Sequence, residues 1–346
     1  YISDLIGGLS HIPLLFPVLG IINKKTHLFQ DKTFINFNDP FFEIVKDIDE
    51  SDFILISHNY RFIKNNATYI NKYEELSKAS RKKIILFDYG DDDENIKCFS
   101  NVIVFKTSQY RYKKMNNEII MPAYVEDLFS TNPSEDKVKP QVPSVAFCGW
   151  SKYKDLKNEI IFKLRSKFFI FISIFDKTYV YRQPGLPLRI NILSRLKKMK
   201  SVKQNFIFRK TFSGHVETIE NLNDSLKFRE EYIKNIQESD FALCLKGDGN
   251  YSLRFYEVLS LGKIPFFIDT DCVLPIEEII PYKDFIFSID FKDISNIDVK
   301  FSNFYNSLKD EDLLAMKKKS RYYFENYLRI DKFFNYYFKN RNLDAY

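Results

Sequence analysis

Short apolar runs separated by polar or amphipathic stretches recur along the chain, an alternation that predicts parallel sheets flanked by helices. Strands are expected at Phe53–Ser57, Ile84–Phe87, Asn101–Lys106 and Ile119–Met121, and a helix at Asn66–Ser80. Leu5–Ile22 is apolar but broken by Gly7, Gly8, Pro13, Pro17 and Gly20, which suits neither a spanning helix nor a signal peptide. It reads as a buried loop and first strand. Ser130–Pro143, with three prolines among polar residues, is the clearest linker. The rhythm then restarts with a strand at Ser144–Cys148, a helix at Lys154–Ser166, an irregular loop at Lys177–Arg189, a basic run at Arg195–Lys203, a strand at Phe206–Arg209 and a helix at Glu230–Ser239. Near the end, Leu308–Lys339 is a long helical tail too rich in Tyr and Phe to stand free.

The segment around which the rest is organised runs from Ser239 to Asp269. A buried strand, Phe241–Leu245, passes into the loop Lys246-Gly247-Asp248-Gly249-Asn250. A helix follows, with Asn250 or Ser252 as N-cap, an apolar face of Phe255, Val258 and Leu259, and Gly262 as the stop. Ile264–Ile268 is the next strand. This βαβ unit presents free amides and the positive end of a helix dipole to an anion. Arg254 and Glu257, spaced i, i+3, share one side of the first turns; the former suits a phosphate, the latter the hydroxyls of a ribose.

The run Phe241-Ala-Leu-Cys-Leu-Lys-Gly247, Ser252-x-Arg254-x-x-Glu257, Gly262-x-Ile264-Pro265, Asp269 and Leu274-Pro275 resembles the signature of exostosin-like glycosyltransferases. The likeness is dense over about 239–290, with Leu245 where the family usually has proline and Lys263 where it often has cysteine. It implies a GT-B fold: two Rossmann-like domains facing a cleft, with the last helix crossing back to the first domain. On that basis the chain divides into an acceptor-side domain at 1–135, a nucleotide-sugar domain at 136–310 and a tail at 311–346 packing on the first. The implied activity is inverting sugar transfer from a nucleotide diphosphate, most simply a UDP-sugar, to a glycan or lipid-linked acceptor in surface polysaccharide assembly. Donor contacts fall to Arg254, Glu257, Ser252, Gly247, Gly249, Asn250 and Arg209, the last as a cation ending a strand. A non-catalytic nucleotide- or glycan-binding protein of the same fold is the competing reading.

Composition narrows the partners. A hydrophobic content of 45% excludes a disordered chain, and a net charge of +6 favours anionic ligands. The lysines are scattered and no zinc-finger or RNP spacing is present, which argues against nucleic acid. Four cysteines without a C-x-x-C pair read as free thiols of a reducing compartment, hence a cytoplasmic protein, with peripheral membrane association through the N-terminal or C-terminal apolar segments as a further expectation.

The acceptor proton needs a base, and in doubly wound sheets strand ends face the ligand. Asp91 ranks first, by likeness to a family Gly-x-Asp-His element whose His is missing here; Asp88 is second and His58 third. Asp269-Thr270-Asp271 has a D-x-D form, but the helix end and Arg254 already supply positive charge, so no cofactor and no metal site are expected.

Overall fold

In the computed structural model, which describes residues 1–20, 30–129, 139–209, 222–340, 343 and 346, two parallel sheets carry the architecture. The first contains β1 (Phe53–Leu55), β2 (Lys83–Asp88), β3 (Val102–Lys106) and β4 (Glu118–Ile120), in that spatial order. Between β1 and β2 lies helix α1 (Ala67–Ser80), which the Asn66 side chain caps by accepting the Tyr69 N–H at 3.1 Å. β2 and β3 are buried along nearly their whole length, which is why they read as unbroken apolar runs.

The second sheet is formed by β5 (Ser144–Trp150), β6 (Lys203–Arg209), β7 (Phe241–Cys244), β8 (Ile264–Asp269) and β9 (Phe287–Asp290), in the order β6-β5-β7-β8-β9. Its helices are α2 (Leu156–Ile172), α3 (Gly185–Leu196), α4 (Leu222–Gln237), α5 (Leu253–Ser260), α6 (Ile297–Ser307) and α7 (Asp310–Tyr323). The chain leaves β5 for the sheet edge at β6, then returns to the other side of β5 as β7. That reversal is a topological switch point, and the carboxyl ends of β5 and β7 flank it.

The chain divides into two units, Tyr1–Glu126 with Cys272–Ile276 and Asn326–Tyr346, and Asp127–Asp271 with Glu277–Glu325. The tail is broken rather than one continuous helix. α7 runs into a π-helical turn at Phe324–Leu328, Arg329 is extended, and α8 (Ile330–Phe334) leads to a second π turn at Asn335–Lys339. Its aromatic rings sit on the first sheet: Phe334 meets Phe87 edge-on at 5.9 Å, and Phe338 stacks on Phe105 at 5.7 Å.

Two other expectations are corrected. Leu5–Ile22 contributes no strand among its described residues. Ile12, Leu14 and Leu15 are buried, but Pro13 and Pro17 donate no N–H to a ladder, and the backbone takes a 3-10 turn and a single helical turn. The stretch Lys177–Arg189 is a 3-10 helix followed by the first turns of α3. Pro187 falls in that first turn, where the amide has no intrahelical partner to lose. Most of the expected linker Ser130–Pro143, and Lys210, lie outside the described residues.

Candidate active site

α5 starts where the sequence places it. Ser252, extended at φ −129° and ψ 110°, is the N-cap, and its hydroxyl makes no cap hydrogen bond, leaving the first-turn amides to another acceptor. Asn250 is occupied otherwise: its Oδ1 accepts from Thr270 Oγ1 at 2.6 Å, which ties the loop to the end of β8. Around Gly247 there is open space on the side a Cβ would take, so a ligand oxygen can approach the backbone there. Gly249 completes the same loop. Gly262 adopts φ 63°, the left-handed conformation that ends the helix.

Arg254 straddles the switch point. Its Nη2 donates to Cys148 O on β5 at 2.6 Å, its Nη1 to Leu243 O on β7 at 3.3 Å, and the guanidinium lies 4.7 Å from the centre of the Phe147 ring. Its Nε donates to Tyr232 Oη at 3.3 Å. Burial works against this cation, but Tyr232, Cys244 and Glu257 outweigh it and raise its pKa, so the charge is permanent. Arg254 and Glu257 are joined through Tyr232 rather than directly. The Tyr232 hydroxyl donates to Glu257 Oε2, and Arg229 Nη1 donates to Oε1 at 2.6 Å. Burial, then the charge of Glu257, holds the Tyr232 phenol far above its ordinary range, so it stays a donor. A carboxylate has about four lone-pair sites, so these two bonds orient Glu257 and leave acceptor capacity.

A further cation lies beside Arg254. Arg189, on α3, donates from Nη1 to Trp150 O at 2.9 Å, while its own Nε and the Trp150 Nε1 are buried without a hydrogen-bond partner. Burial, then the neighbouring charge of Arg254, pushes the Arg189 pKa down to about 10, against the opposing pull of Asp248. Two like charges held together, with orphaned donors next to them, define a place for an anion. Arg209, which the sequence nominates for that role, is turned onto α4, where its Nη2 donates to Phe228 O at 2.7 Å and to Glu231 Oε2 at 2.8 Å.

The model of the exostosin GT47 domain matches residues 101–301, more than half of the chain. The protein belongs to the exostosin GT47 family. It is therefore a glycosyltransferase in the general sense, with a nucleotide sugar and a glycan acceptor as its substrate classes. Comparison with curated proteins gives no match. The GT47 match spans the whole constellation of Arg189, Arg229, Tyr232, Arg254 and Glu257, and leaves out all three base candidates.

Those candidates differ in their surroundings. Asp91 is exposed in the turn after β2. Asp88, at the end of β2, is buried and lies 3.6 Å from the wholly buried Lys106 Nζ. Burial pushes its carboxyl up, more than Lys106 draws it down. His58 has both ring nitrogens engaged: Nε2 accepts the Ile6 N–H at 2.8 Å, and Nδ1 donates to Ser10 O at 3.0 Å. Such a ring anchors the N-terminal segment and has no lone pair left for a hydroxyl proton, which makes it the weakest of the three. Among the described residues no three His, Cys, Asp or Glu side chains are grouped as a cation would need.

The sequence reading missed Arg189, Arg229 and Tyr232. Arg189 was hidden in a stretch that its prolines mark as irregular. The other two, at i and i+3 on α4, carried a usable signal, because that spacing puts a cation and a phenol on one helix face just before the central strand.

Proposed function

We propose that the protein transfers a sugar, with inversion, from a UDP-sugar to a glycan or lipid-linked acceptor in surface polysaccharide assembly. What carries the reading is the position of Arg254 across the ends of β5 and β7, beside Arg189 and the uncapped start of α5. The donor diphosphate sits against these three sources of positive charge, and Glu257, oriented by Arg229 and Tyr232, accepts from the ribose. The acceptor hydroxyl attacks the anomeric carbon, the bond to the diphosphate breaks, and the hydroxyl proton passes to a base. Positive charge set in place before the reaction stabilises the departing phosphate. The free cysteines and the absence, among the described residues, of a helix long and apolar enough to cross a membrane accord with a cytoplasmic protein that associates peripherally.

The test is release of free nucleotide from a panel of nucleotide sugars, with and without an oligosaccharide acceptor, in excess EDTA. Acceptor-dependent release from a UDP-sugar is the expected result. Strict dependence on added Mn²⁺ or Mg²⁺ would show that a divalent ion shares the charge here assigned to the arginines.

For the base, Asp91→Asn, Asp88→Asn and His58→Ala are compared for turnover and donor affinity. Loss of a general base costs about 10²–10⁴ in rate, so one aspartate variant should fall by that factor with affinity retained. The Asp88 variant should also keep its stability at neutral pH. Its folded-state pKa lies above the ordinary 3.8, so the native state holds the proton more tightly; that contribution is full below 3.8 and is lost as pH rises through the folded value. If all three variants stay within about tenfold of the parent, the base lies elsewhere.

A further inference from the structure

Helix α2 is turned inside out. At 100° per residue, Leu156, Ile160, Ile161, Leu164, Phe168 and Phe171 share one half of its circumference, and each is 52–78% exposed. The less exposed half carries Asn158, Ser166 and Ser173, with Phe162 and Phe169 making the packing contacts, against Tyr153 at 6.0 Å and Tyr179 at 6.4 Å. No residue of α2 is buried, and the apolar face continues past its end into Ile174 and Phe175, the latter 80% exposed. A surface helix normally directs its apolar stripe inward, and a contiguous exposed patch of this kind marks an interaction site.

The charges around the patch identify what covers it. From Lys152 to Lys177 the chain has seven basic residues and three acidic ones. All seven cations are exposed, whereas the acids are used locally: Asp155 and Asp176 cap the following turns and Glu159 pairs with Lys163 at 2.5 Å. A second copy docking by the same face would bring like charges together. Lys157 and Lys167 rise among the apolar side chains and, with Lys163 and Arg165, rule out a crossing of the membrane. An apolar face rimmed by lysines suits a helix lying in the surface of an anionic bilayer, with the rings in the acyl boundary and the cations at the headgroups. We propose that α2, with Ile174 and Phe175, is a membrane-adsorbing face selective for anionic lipid.

The full chain is tested by co-sedimentation with vesicles of phosphatidylcholine alone and of an equimolar phosphatidylcholine–phosphatidylserine mixture. Binding to the mixture, weakened by salt, and little binding to phosphatidylcholine are expected. Combined Ile160→Ser, Leu164→Ser, Phe168→Ser and Phe171→Ser should weaken it about a hundredfold or more, and combined Lys157→Glu and Lys167→Glu about tenfold or more. Neither set removes a buried contact, so both variants should melt at or above the parent temperature. The proposal fails if the parent ignores both vesicle types, or if both folded variants bind as the parent does. It also fails if the parent is a dimer in solution that the serine variant converts to monomer, since the face would then join two copies.

Discussion

Arg254→Ala is expected to lose donor binding and part of the stability of its unit together. Three groups depend on this one guanidinium: Cys148 O, Leu243 O and Tyr232 Oη. Removing it leaves two strand-end carbonyls without their donor and uncovers the Phe147 ring, at a cost of about 3 kcal/mol. The lost phosphate contact should weaken nucleotide binding by about one to two decades. The two effects are separated by measuring affinity well below the melting point of the variant, with Arg254→Lys alongside. Lysine keeps the charge but cannot bridge two carbonyls, so it should recover part of the affinity and little of the stability. A folded Arg254→Ala protein that binds UDP-sugar as the parent does would remove Arg254 from the donor site.

Gly185→Ala should be nearly as damaging, although it adds only a single methyl group. A Cβ at Gly185 would lie 2.2 Å from Gly247 O and 2.7 Å from Lys246 O. Both are backbone atoms, so neither can swing aside, and the start of α3 or the loop at Lys246–Gly247 has to move. Overpacking of this kind costs about 1–3 kcal/mol. Displacement also carries Arg189, one turn further along α3, away from Arg254, so donor affinity should fall about tenfold with the loss of one charge-assisted contact. Gly247→Ala, on the other side of the same contact, is the control. Its Cβ meets open space, so the melting point should hold while the new methyl group obstructs the ligand. If Gly185→Ala melts with the parent and binds donor equally well, α3 and the loop are not in the close contact described.

Much of this was legible in the sequence for identifiable reasons. β2, β3, β5, β7 and β8 are buried parallel strands, and burial on both faces writes itself as a continuous apolar run. Gly262 was readable because few other residues end a helix in the left-handed conformation. The spacing of Arg254 and Glu257 pointed to the candidate site, but not to how its members are connected. That depends on Tyr232 and Arg229, some twenty-five residues away on α4, which the fold brings against Glu257 of α5. α3 was missed because Pro184, Gly185 and Pro187 punctuate a chain in the same way whether they start a helix or prevent one. The orientation of α2 was missed because periodicity gives a stripe without saying which way it points.

The return of residues 272–276 and 326–346 to the first unit has a consequence for synthesis. When Phe87 and Phe105 leave the ribosome, the rings that will cover them, Phe333, Phe334 and Phe338, are still more than two hundred codons away. The second unit needs nothing beyond Glu325 and can close first. The nascent first sheet must wait with an aromatic face uncovered through most of translation, which makes it the part of the chain most in need of a chaperone.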